Sequence, residues 1–296
     1  MSTGLVPAPF DADRISELDH HIVSFLQGTA PRSFDVIGAG ELTCVIGWRG
    51  FAFKLLPPVD DLRRVEAYGA LLDEYLIALR AAGVPIVDTS FAVATTDRGS
   101  AGYIIQPRLP GEQLLSVVCQ RSDVQTCVGY FERLLDHVDA CVTAGIGIDP
   151  QLSNWMLIDG TPQLVDVTTP MLRDAQGRDR LDAEFFIALL PKVLQSVARR
   201  FLLADLLDKN FDHRKIVLDL IGNMANYGLS HLTEPFVEVA NARLAQPLSV
   251  ADVRSYRKED KATWWLLRRA FAAEQVWRRL TRAPVRHLVP AYLDTV

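Results

Sequence analysis

The sequence predicts an α+β protein in which a small β-rich lobe precedes a larger helical lobe. Short β-like runs separated by glycine turns fill the first third of the chain and are typical of an antiparallel meander. Beyond residue 107 most of the apolar spacing becomes helical. With 296 residues, the chain suits one large domain or two closely joined lobes. We expect an N-terminal lead-in over residues 1–32, an N-lobe over 33–107 and a C-lobe over 108–296.

The N-lobe opens with three predicted strands, Ser33–Ile37, Leu42–Trp48 and Phe51–Leu56. The lead-in before them is expected to be loosely held, with a short helix over Ile15–Leu26. Turns at Gly38–Gly40 and Arg49–Gly50 separate the strands.

A helix over residues 60–82 follows the third strand, with Asp60 and Asp61 as candidate caps. Its apolar stripe recurs at helical spacing and consists of Val65, Leu72, Leu76 and Leu79. Two further strands, around Ser90–Ala94 and Gly102–Gln106, complete a β-β-β-α-β-β order.

The C-lobe is predicted to be helical from Leu114, with one interruption. Two short β-like runs, Trp155–Ile158 and Gln163–Val167, flank the turn dipeptide Asp159-Gly160 and predict a hairpin. Helices are expected to resume after Pro170.

Composition excludes several classes of protein. A net charge of −5 gives no bulk attraction for nucleic acid or an anionic membrane. No apolar run approaches the length of a membrane span, and the N-terminus does not resemble a signal peptide. The cysteines show neither CxxC nor zinc-ligand spacing, which indicates buried, reduced thiols in a cytoplasmic protein; they are Cys44, Cys119, Cys127 and Cys141.

The segment IGIDPQLSNWMLIDGTPQLVDVTTP, residues 146–170, carries the strongest chemical signal. Asp149 and Asn154 form a D-x-x-x-x-N pattern, and Asp166 ends the apolar run after the hairpin. A phosphoryl acceptor needs a carboxylate near its hydroxyl. Mg²⁺ needs oxygen ligands beside the nucleotide phosphates. The alternative is an Asp-initiated turn that Asn154 caps.

A second signal is Lys54 within the apolar run FAFKLL, because a charge there is costly to bury without a partner. The alternative is an edge strand whose lysine reaches water. Acids on the helix over 60–82 are the candidate partners, and they are Glu66, Asp73 and Glu74.

Two weaker signals flank Lys54. Gly38 and Gly40 between strands can bring backbone N–H groups close to phosphate, or form a plain hairpin turn. The segment GYIIQPRLPGEQLL, residues 102–115, resembles the hinge that meets adenine in small-molecule kinases, or is an ordinary strand–turn–helix junction. Pro107 has no N–H, so the Gln106 carbonyl and the Arg108 N–H are the expected contacts.

These features occur in the order typical of protein kinases, and the chain resembles the aminoglycoside-phosphotransferase-like branch of that superfamily. The resemblance covers residues 33–170 and implies a bilobal kinase-like fold that uses ATP and Mg²⁺. It implies that Asp149 is the catalytic base, that Asn154 and Asp166 are metal ligands, and that Lys54 holds the phosphates. The family's spacing favours Glu74 as the partner of Lys54.

The chain departs from the family's H-G-D-x-H-x-x-N motif. Gly147 replaces the first histidine, Gln151 replaces the second, and Thr43 stands at the third glycine of the phosphate loop. The leading hypothesis is phosphoryl transfer to a small-molecule hydroxyl acceptor. The alternatives are a peptide or protein Ser/Thr kinase of a biosynthetic pathway, and a pseudokinase that binds nucleotide or a partner.

Two segments outside the motifs allow several interpretations. The charged residues 173–182 either line the acceptor cleft or form an exposed loop. The basic segment 254–286 carries a helical apolar stripe. That stripe packs on its own domain, forms the seam of a homodimer, or lies on a membrane surface.

Overall fold

The computed structural model describes residues 4–26, 34–39, 44–96, 99–182, 184–187, 195, 208–259 and 269. In this part of the chain an antiparallel sheet precedes a helical region. The predicted α+β class, with a small β-rich lobe and a larger helical lobe, is therefore confirmed.

The N-lobe sheet has five antiparallel strands in the order β1-β2-β3-β5-β4. Their bounds are Asp35–Ala39 for β1, Cys44–Trp48 for β2, Phe51–Leu55 for β3, Ser90–Thr96 for β4 and Gly99–Pro107 for β5. The predicted turn between β2 and β3 has positive φ at both central residues, 47° at Arg49 and 81° at Gly50. Such turns match the twist of a hairpin, so β3 and Lys54 are placed by local chemistry.

One face of the sheet is covered by helix α2, Leu62–Ala81. The side chain of Asp61 accepts a hydrogen bond from the Arg63 N–H, as expected of an N-cap. The predicted stripe is confirmed as the buried face, which also includes Tyr68 and Tyr75.

The other face is covered by helix α1, Ala12–Leu26, so the N-lobe has three layers. Ile15 and Ile22 are fully buried against the sheet, and Asp19 accepts a 2.8 Å hydrogen bond from the hydroxyl of Tyr103. The lead-in is thus not loosely held over this helix, because α1 supplies the apolar layer that the sheet needs.

The described helices of the C-lobe are α3 (Leu115–Arg121), α4 (Val124–Cys141), α5 (Glu184–Ile187), α6 (His213–Asn223), α7 (Thr233–Asn241) and residues 250–259. The predicted hairpin is present as β6, Trp155–Ile158, and β7, Thr161–Leu164. Backbone bonds join β7 to the segment after α2, with Val87 N to Leu164 O at 3.0 Å and Leu164 N to Pro85 O at 2.8 Å.

Residues 171–182 differ from the prediction that helices resume after Pro170. They form turns and isolated bridges, such as that between Arg173 and Asp179. Alternating Arg and Asp side chains bond one another and the backbone here, which competes with helix formation.

All four cysteines are buried and free, as predicted. Among the described residues, none of the helices has the length and apolarity required to cross a bilayer. The basic segment 254–286 lies outside the described residues except for 254–259 and 269, so the homodimer through this helix stays a prediction.

Candidate functional site

The loop between α4 and β6 brings Asp149 and Asn154 together. The Asp149 Oδ1 accepts a 3.2 Å hydrogen bond from the Gln151 N–H, and the Asn154 Nδ2 donates to the Asp149 carbonyl at 3.2 Å. The Asn154 carbonyl in turn accepts the N–H of Asp166 at 3.3 Å. Asn154 therefore links the two aspartates that the sequence pattern singled out.

Lys54 and Asp166 form an ion pair across the cleft between the lobes. The Lys54 Nζ lies 2.8 Å from the Asp166 Oδ2, although 112 residues separate them in the chain. Burial raises the pKa of Asp166, but the charge and hydrogen bond of Lys54 and the bonds from Thr168 outweigh it and bring the pKa to about 2. Asp166 is thus a carboxylate at every physiological pH.

The pKa of Asp149 is shifted in the opposite direction from that of Asp166. Burial, and then the neighbouring charge of Asp219, raise its pKa from 3.8 to about 6, against the lowering effect of Lys209. A carboxylate whose pKa lies near neutral pH is suited to accept a proton from a hydroxyl.

Glu74 is not the partner of Lys54, so this prediction is wrong. Its carboxylate forms two hydrogen bonds with the guanidinium of Arg180, at 2.7 and 3.1 Å. The physical reason is rotation of the helix, because Glu74 lies on the exposed face of α2. Tyr68 and Tyr75 occupy the face that meets the cleft.

These two tyrosines bind the backbone close to Asp149 and Asp166. The Tyr68 hydroxyl donates to the Thr168 carbonyl at 2.6 Å, and the Tyr75 hydroxyl donates to the Gly147 carbonyl at 3.0 Å. Thr168 follows Asp166 closely and Gly147 precedes Asp149 closely. α2 therefore holds the site through neutral hydrogen bonds.

The side chain of Gln106 forms hydrogen bonds inside the protein, which the expected adenine contact of its backbone carbonyl did not include. Its side-chain amide donates to the Thr89 Oγ1 at 3.0 Å and to the Val165 carbonyl at 2.9 Å. Its backbone lies opposite Ala52 in the β3–β5 register. The side chain thus anchors the residue next to Asp166.

Arg108 does not offer its N–H to a nucleotide, which corrects the expected hinge contact. That N–H donates to the Gly50 carbonyl at 2.8 Å and extends the β3–β5 pairing. Bonded pairs alternate along an antiparallel ladder, so the Gln106 backbone, two residues earlier, is also engaged with β3. The Arg108 guanidinium instead bonds Asp35 at 2.7 Å and lies against Gly47.

Gly38 lies within β1, at an irregular register opposite Val45, rather than in a loop between strands. A Cβ at this position would meet Val45 at 3.5 Å, an ordinary contact. Gly40 lies outside the described residues. A phosphate-binding role for either glycine stays a prediction.

Close packing explains why position 147, where the family has its first histidine, is a glycine. A Cβ there would come within 2.6 Å of the Asn210 carbonyl oxygen. The N–H of the next residue, Ile148, donates to this same carbonyl at 3.1 Å. The backbone of residues 209–211 therefore occupies the space that a side chain would need.

Asp219 on α6 is a site residue that our sequence analysis missed. Its carboxylate is buried, and it accepts bonds from Gln151 at 3.1 Å, Lys209 at 2.8 Å and Asn223 at 3.0 Å, and from the hydroxyl of Tyr256. Gln151, at the position of the family's second histidine, thereby links the loop between α4 and β6 to α6. The available signal was a charge inside the apolar helical run IVLDLI.

The donor set fits Mg²⁺. Asn154 and Asp166 present an amide oxygen and a carboxylate, the hard oxygen ligands that this ion prefers. Mg²⁺ usually takes one or two protein ligands and completes its shell with water and substrate phosphates.

Three comparisons place the chain among known proteins. No curated protein matches the sequence. The structure of an aminoglycoside phosphotransferase, APH(2")-IIia in complex with GDP and kanamycin, matches with a TM-score of 0.34 and 11% identity, covering 83% of this chain and 99% of that chain. A mutant of the PAN3 pseudokinase from Neurospora crassa matches with a TM-score of 0.30 and 10% identity, covering 92% of this chain and 75% of that one.

At these scores the two structures contribute no argument about chemistry. The sequence match is more informative, because one family profile covers residues 50–275, which is most of the chain. The chain belongs to DUF6206, a family of unknown function.

Proposed function

We propose that this protein is a phosphotransferase that uses a nucleoside triphosphate and Mg²⁺, with ATP as the expected nucleotide, and phosphorylates a hydroxyl of a small molecule. A chain of hydrogen bonds that connects Lys54, Asp166, Asn154 and Asp149 carries the proposal. Lys54 Nζ bonds the Asp166 carboxylate, the Asp166 N–H bonds the Asn154 carbonyl, and the Asn154 side-chain amide bonds the Asp149 carbonyl. A strand of the N-lobe and the segment 149–166 thus bring together residues of the types that phosphoryl transfer requires.

Each residue has a role that follows from its environment. Asp149 accepts the proton of the acceptor hydroxyl while the hydroxyl oxygen forms a bond to the γ-phosphorus. The bond from that phosphorus to the β–γ bridging oxygen breaks, and the electron pair leaves with the nucleoside diphosphate. Lys54 binds the remaining phosphates. Asn154 and Asp166 would hold Mg²⁺, which supplies positive charge to the phosphate oxygens.

Gln106 and Tyr68 hold Asp166 in position from outside this set of residues. Gln106 fixes the carbonyl before Asp166, and Tyr68 fixes the carbonyl of Thr168 beyond it. Asp166 is thus held on both sides along the chain, which favours a ligand of defined orientation.

A nucleotide-binding pseudokinase is the second candidate, and one observation favours it: Gly147 stands where the family has its first histidine, and the Asn210 carbonyl oxygen, 2.6 Å from a Cβ at this position, leaves no room for a side chain. An ion pair near the expected hinge is compatible with nucleotide binding, because the Arg108 side chain bonds Asp35 of β1 at 2.7 Å on the surface. The pair spans from the expected hinge to the strand that would cover a nucleotide. Both partners are well exposed, and exposed pairs contribute only about 0–1 kcal/mol, so an incoming base can displace it.

A thermal-shift titration with ATP, GTP and ADP, with and without Mg²⁺, tests the proposal. A ligand that binds only the native state raises the melting temperature. We expect Mg²⁺ with ATP to stabilise the wild type, and Asp166→Asn to abolish the metal dependence. Asp174→Asn is the matched control, because the described bonds of the Asp174 carboxylate are to its own turn, at Gln176 and Arg178.

Turnover separates the two candidate functions. Formation of ADP in the presence of a library of hydroxyl acceptors, lost in Asp149→Ala, supports the phosphotransferase. Nucleotide binding with no turnover for any acceptor supports the pseudokinase. If no nucleotide at millimolar concentration shifts the melting temperature, both candidates fail.

A further inference from the structure

The short turn Lys209–Phe211 packs directly on the catalytic loop. The Asn210 carbonyl accepts the N–H of Ile148 at 3.1 Å and lies where a side chain of Gly147 would be. The turn follows Asp149 by about sixty residues in sequence but borders it in space. Lys209, the first residue of the turn, is therefore placed by backbone contacts with this loop.

Arg173 holds the same turn from another side. Its guanidinium pairs with Asp208 and lies 3.8 Å from the centroid of the Phe211 ring. The Arg173 side chain is only 14% exposed, so it is itself fixed. Contacts from two elements thus fix the turn before any ligand binds, which reduces the entropic cost of using Lys209.

The ammonium group of Lys209 bonds a buried carboxylate, while the lysine side chain itself is partly exposed. Its Nζ lies 2.8 Å from the Asp219 Oδ1, and the Lys209 side chain is 21% exposed against 2% for Asp219. Its charge also acts on Asp149, whose pKa it lowers. A lysine ammonium has three donors, so bonding Asp219 leaves two available.

Phosphoryl transfer creates a need for such a group. The negative charge of the transferred phosphoryl spreads over its oxygens, and fixed cations around it stabilise the transition state. The catalytic loop from Asp149 to Asn154 contains no lysine or arginine. Lys54 is engaged with Asp166 on the nucleotide side of the cleft.

We propose that Lys209 contacts the terminal phosphoryl group during its transfer and so serves as a catalytic residue supplied from outside the catalytic loop. This inference rests on the proposed phosphotransferase function. Lys209 takes no part in the proton transfer: the acceptor oxygen bonds to phosphorus, the bond to the bridging oxygen breaks, and the acceptor proton goes to Asp149. The Lys209 ammonium donates a hydrogen bond to a phosphoryl oxygen as the phosphoryl moves.

Lysine reactivity in the wild-type protein tests this contact directly. Three samples of the protein are treated with limiting acetic anhydride: one without nucleotide, one with Mg²⁺ and ADP, and one with Mg²⁺ and the β,γ-imido analogue of ATP. The acetylation of each lysine is then measured by mass spectrometry. We expect both nucleotides to protect Lys54, and only the triphosphate analogue to protect Lys209. Lys215, exposed on α6, is the internal control and stays equally reactive throughout.

The affinity difference between the two nucleotides gives a second measurement. Lys209→Met should lower the affinity for the triphosphate analogue about 10-fold, because a hydrogen bond to a charged group is lost, with little change for ADP. Lys215→Met should change neither. Because Lys209→Met leaves Asp219 without its cation, the double variant Lys209→Met, Asp219→Asn is measured as well and should show the same selective loss.

The outcomes separate this inference from the proposed function. If Lys54 is protected but Lys209 reacts equally with both nucleotides, the inference is overturned and the phosphotransferase stands. An equal loss of ADP and triphosphate affinity in the variants also overturns it, because that result indicates a structural lysine. If neither nucleotide protects Lys54 or shifts the melting temperature, the proposed function itself fails.

Discussion

The carboxylate of Asp149 lies where its negative charge is penalised. Burial and the nearby charge of Asp219 raise its pKa from 3.8 to about 6. A native pKa above the unfolded value means that the folded state binds more protons between these two values, so this group makes stability fall as the pH rises from about 4 to 6. The full penalty is present above pH 6.

We therefore expect Asp149→Asn to remove activity and yet stabilise the fold. Asparagine keeps the shape and can still accept the Gln151 N–H, without the charge. A shift of about two pKa units corresponds to roughly 2–3 kcal/mol at pH 8, with a smaller gain at pH 5. Urea denaturation of both proteins at the two pH values measures it. A loss of stability, or an equal gain at both pH values, would show that Asp149 carries no such penalty.

At the scale of single residues, the sequence predicted those contacts that form between residues close together in the chain. The spacing of Asp149, Asn154 and Asp166 around a tight hairpin fixes their proximity, and all three meet in the structure. The expected role of the Arg108 N–H was wrong, because the pairing of β3 with β5 continues far enough to engage it. The contact expected of the Gln106 carbonyl stays a prediction. The length of a strand pair depends on the partner strand, which local sequence does not contain.

Among the elements, α2 connects the lobes most directly. The buried hydroxyls of Tyr68 and Tyr75, both on α2, donate hydrogen bonds to the backbone carbonyls of Thr168 and Gly147, respectively. On its exposed face, Arg64 and Glu74 pair with Asp182 and Arg180 of the segment after Asp166. The exposed pairs are screened by solvent, so the buried hydroxyls contribute more to the position of α2.

Removing either hydroxyl should therefore have a measurable cost. Tyr68→Phe and Tyr75→Phe each leave a buried carbonyl without its donor, which destabilises by about 1–3 kcal/mol. Tyr130→Phe on α4, at a partly exposed position, should stay within about 0.5 kcal/mol of the wild type. Urea denaturation of the three variants provides the comparison. Equal stability of all three would mean that α2 is held by apolar packing alone.

The sequence of α2 predicts which face of the helix is buried, although the predicted pairing of Lys54 with Glu74 was wrong. The stripe that includes Val65, Leu72 and Leu79 predicts the buried side correctly. Glu66 and Glu74 share a different face of the same helix, and both are exposed. Helical periodicity alone thus places Glu74 off the buried stripe, whereas our prediction of Glu74 followed the family's spacing.

At the scale of the whole molecule, the buried apolar residues that the structure describes form two clusters. One contains the buried face of α2 together with the helices of the C-lobe, and the other joins α1 to the opposite face of the sheet. The boundary between the clusters therefore runs through the N-lobe sheet, not through the cleft between the lobes.

This division predicts the order of local unfolding. The cluster under α1 is the smaller one, and units with fewer buried contacts open at lower free energy. We expect hydrogen exchange to be faster in α1 and β4 than in α2, and α2 to exchange at a rate close to that of α4. Ile22→Ala should accelerate exchange in α1 and β4 without changing α4. If α2 instead exchanged together with α1, the lobes would be the cooperative units.

The sequence did not predict α1 as a structural layer, for a physical reason. A short amphipathic helix near a chain end carries the same pattern whether it packs or is loosely held. The helix packs because both faces of the sheet are apolar and must be covered. Strands far along the chain, such as β5 with its run of buried residues, make them so.

The close approach of Gly147 to Asn210 has an evolutionary consequence. A Cβ at position 147 would lie 2.6 Å from the carbonyl oxygen of the neighbouring turn, so no single substitution of Gly147 fits unless the turn moves. The glycine and the turn are therefore constrained to change together, whereas the residues around them are free to vary one at a time.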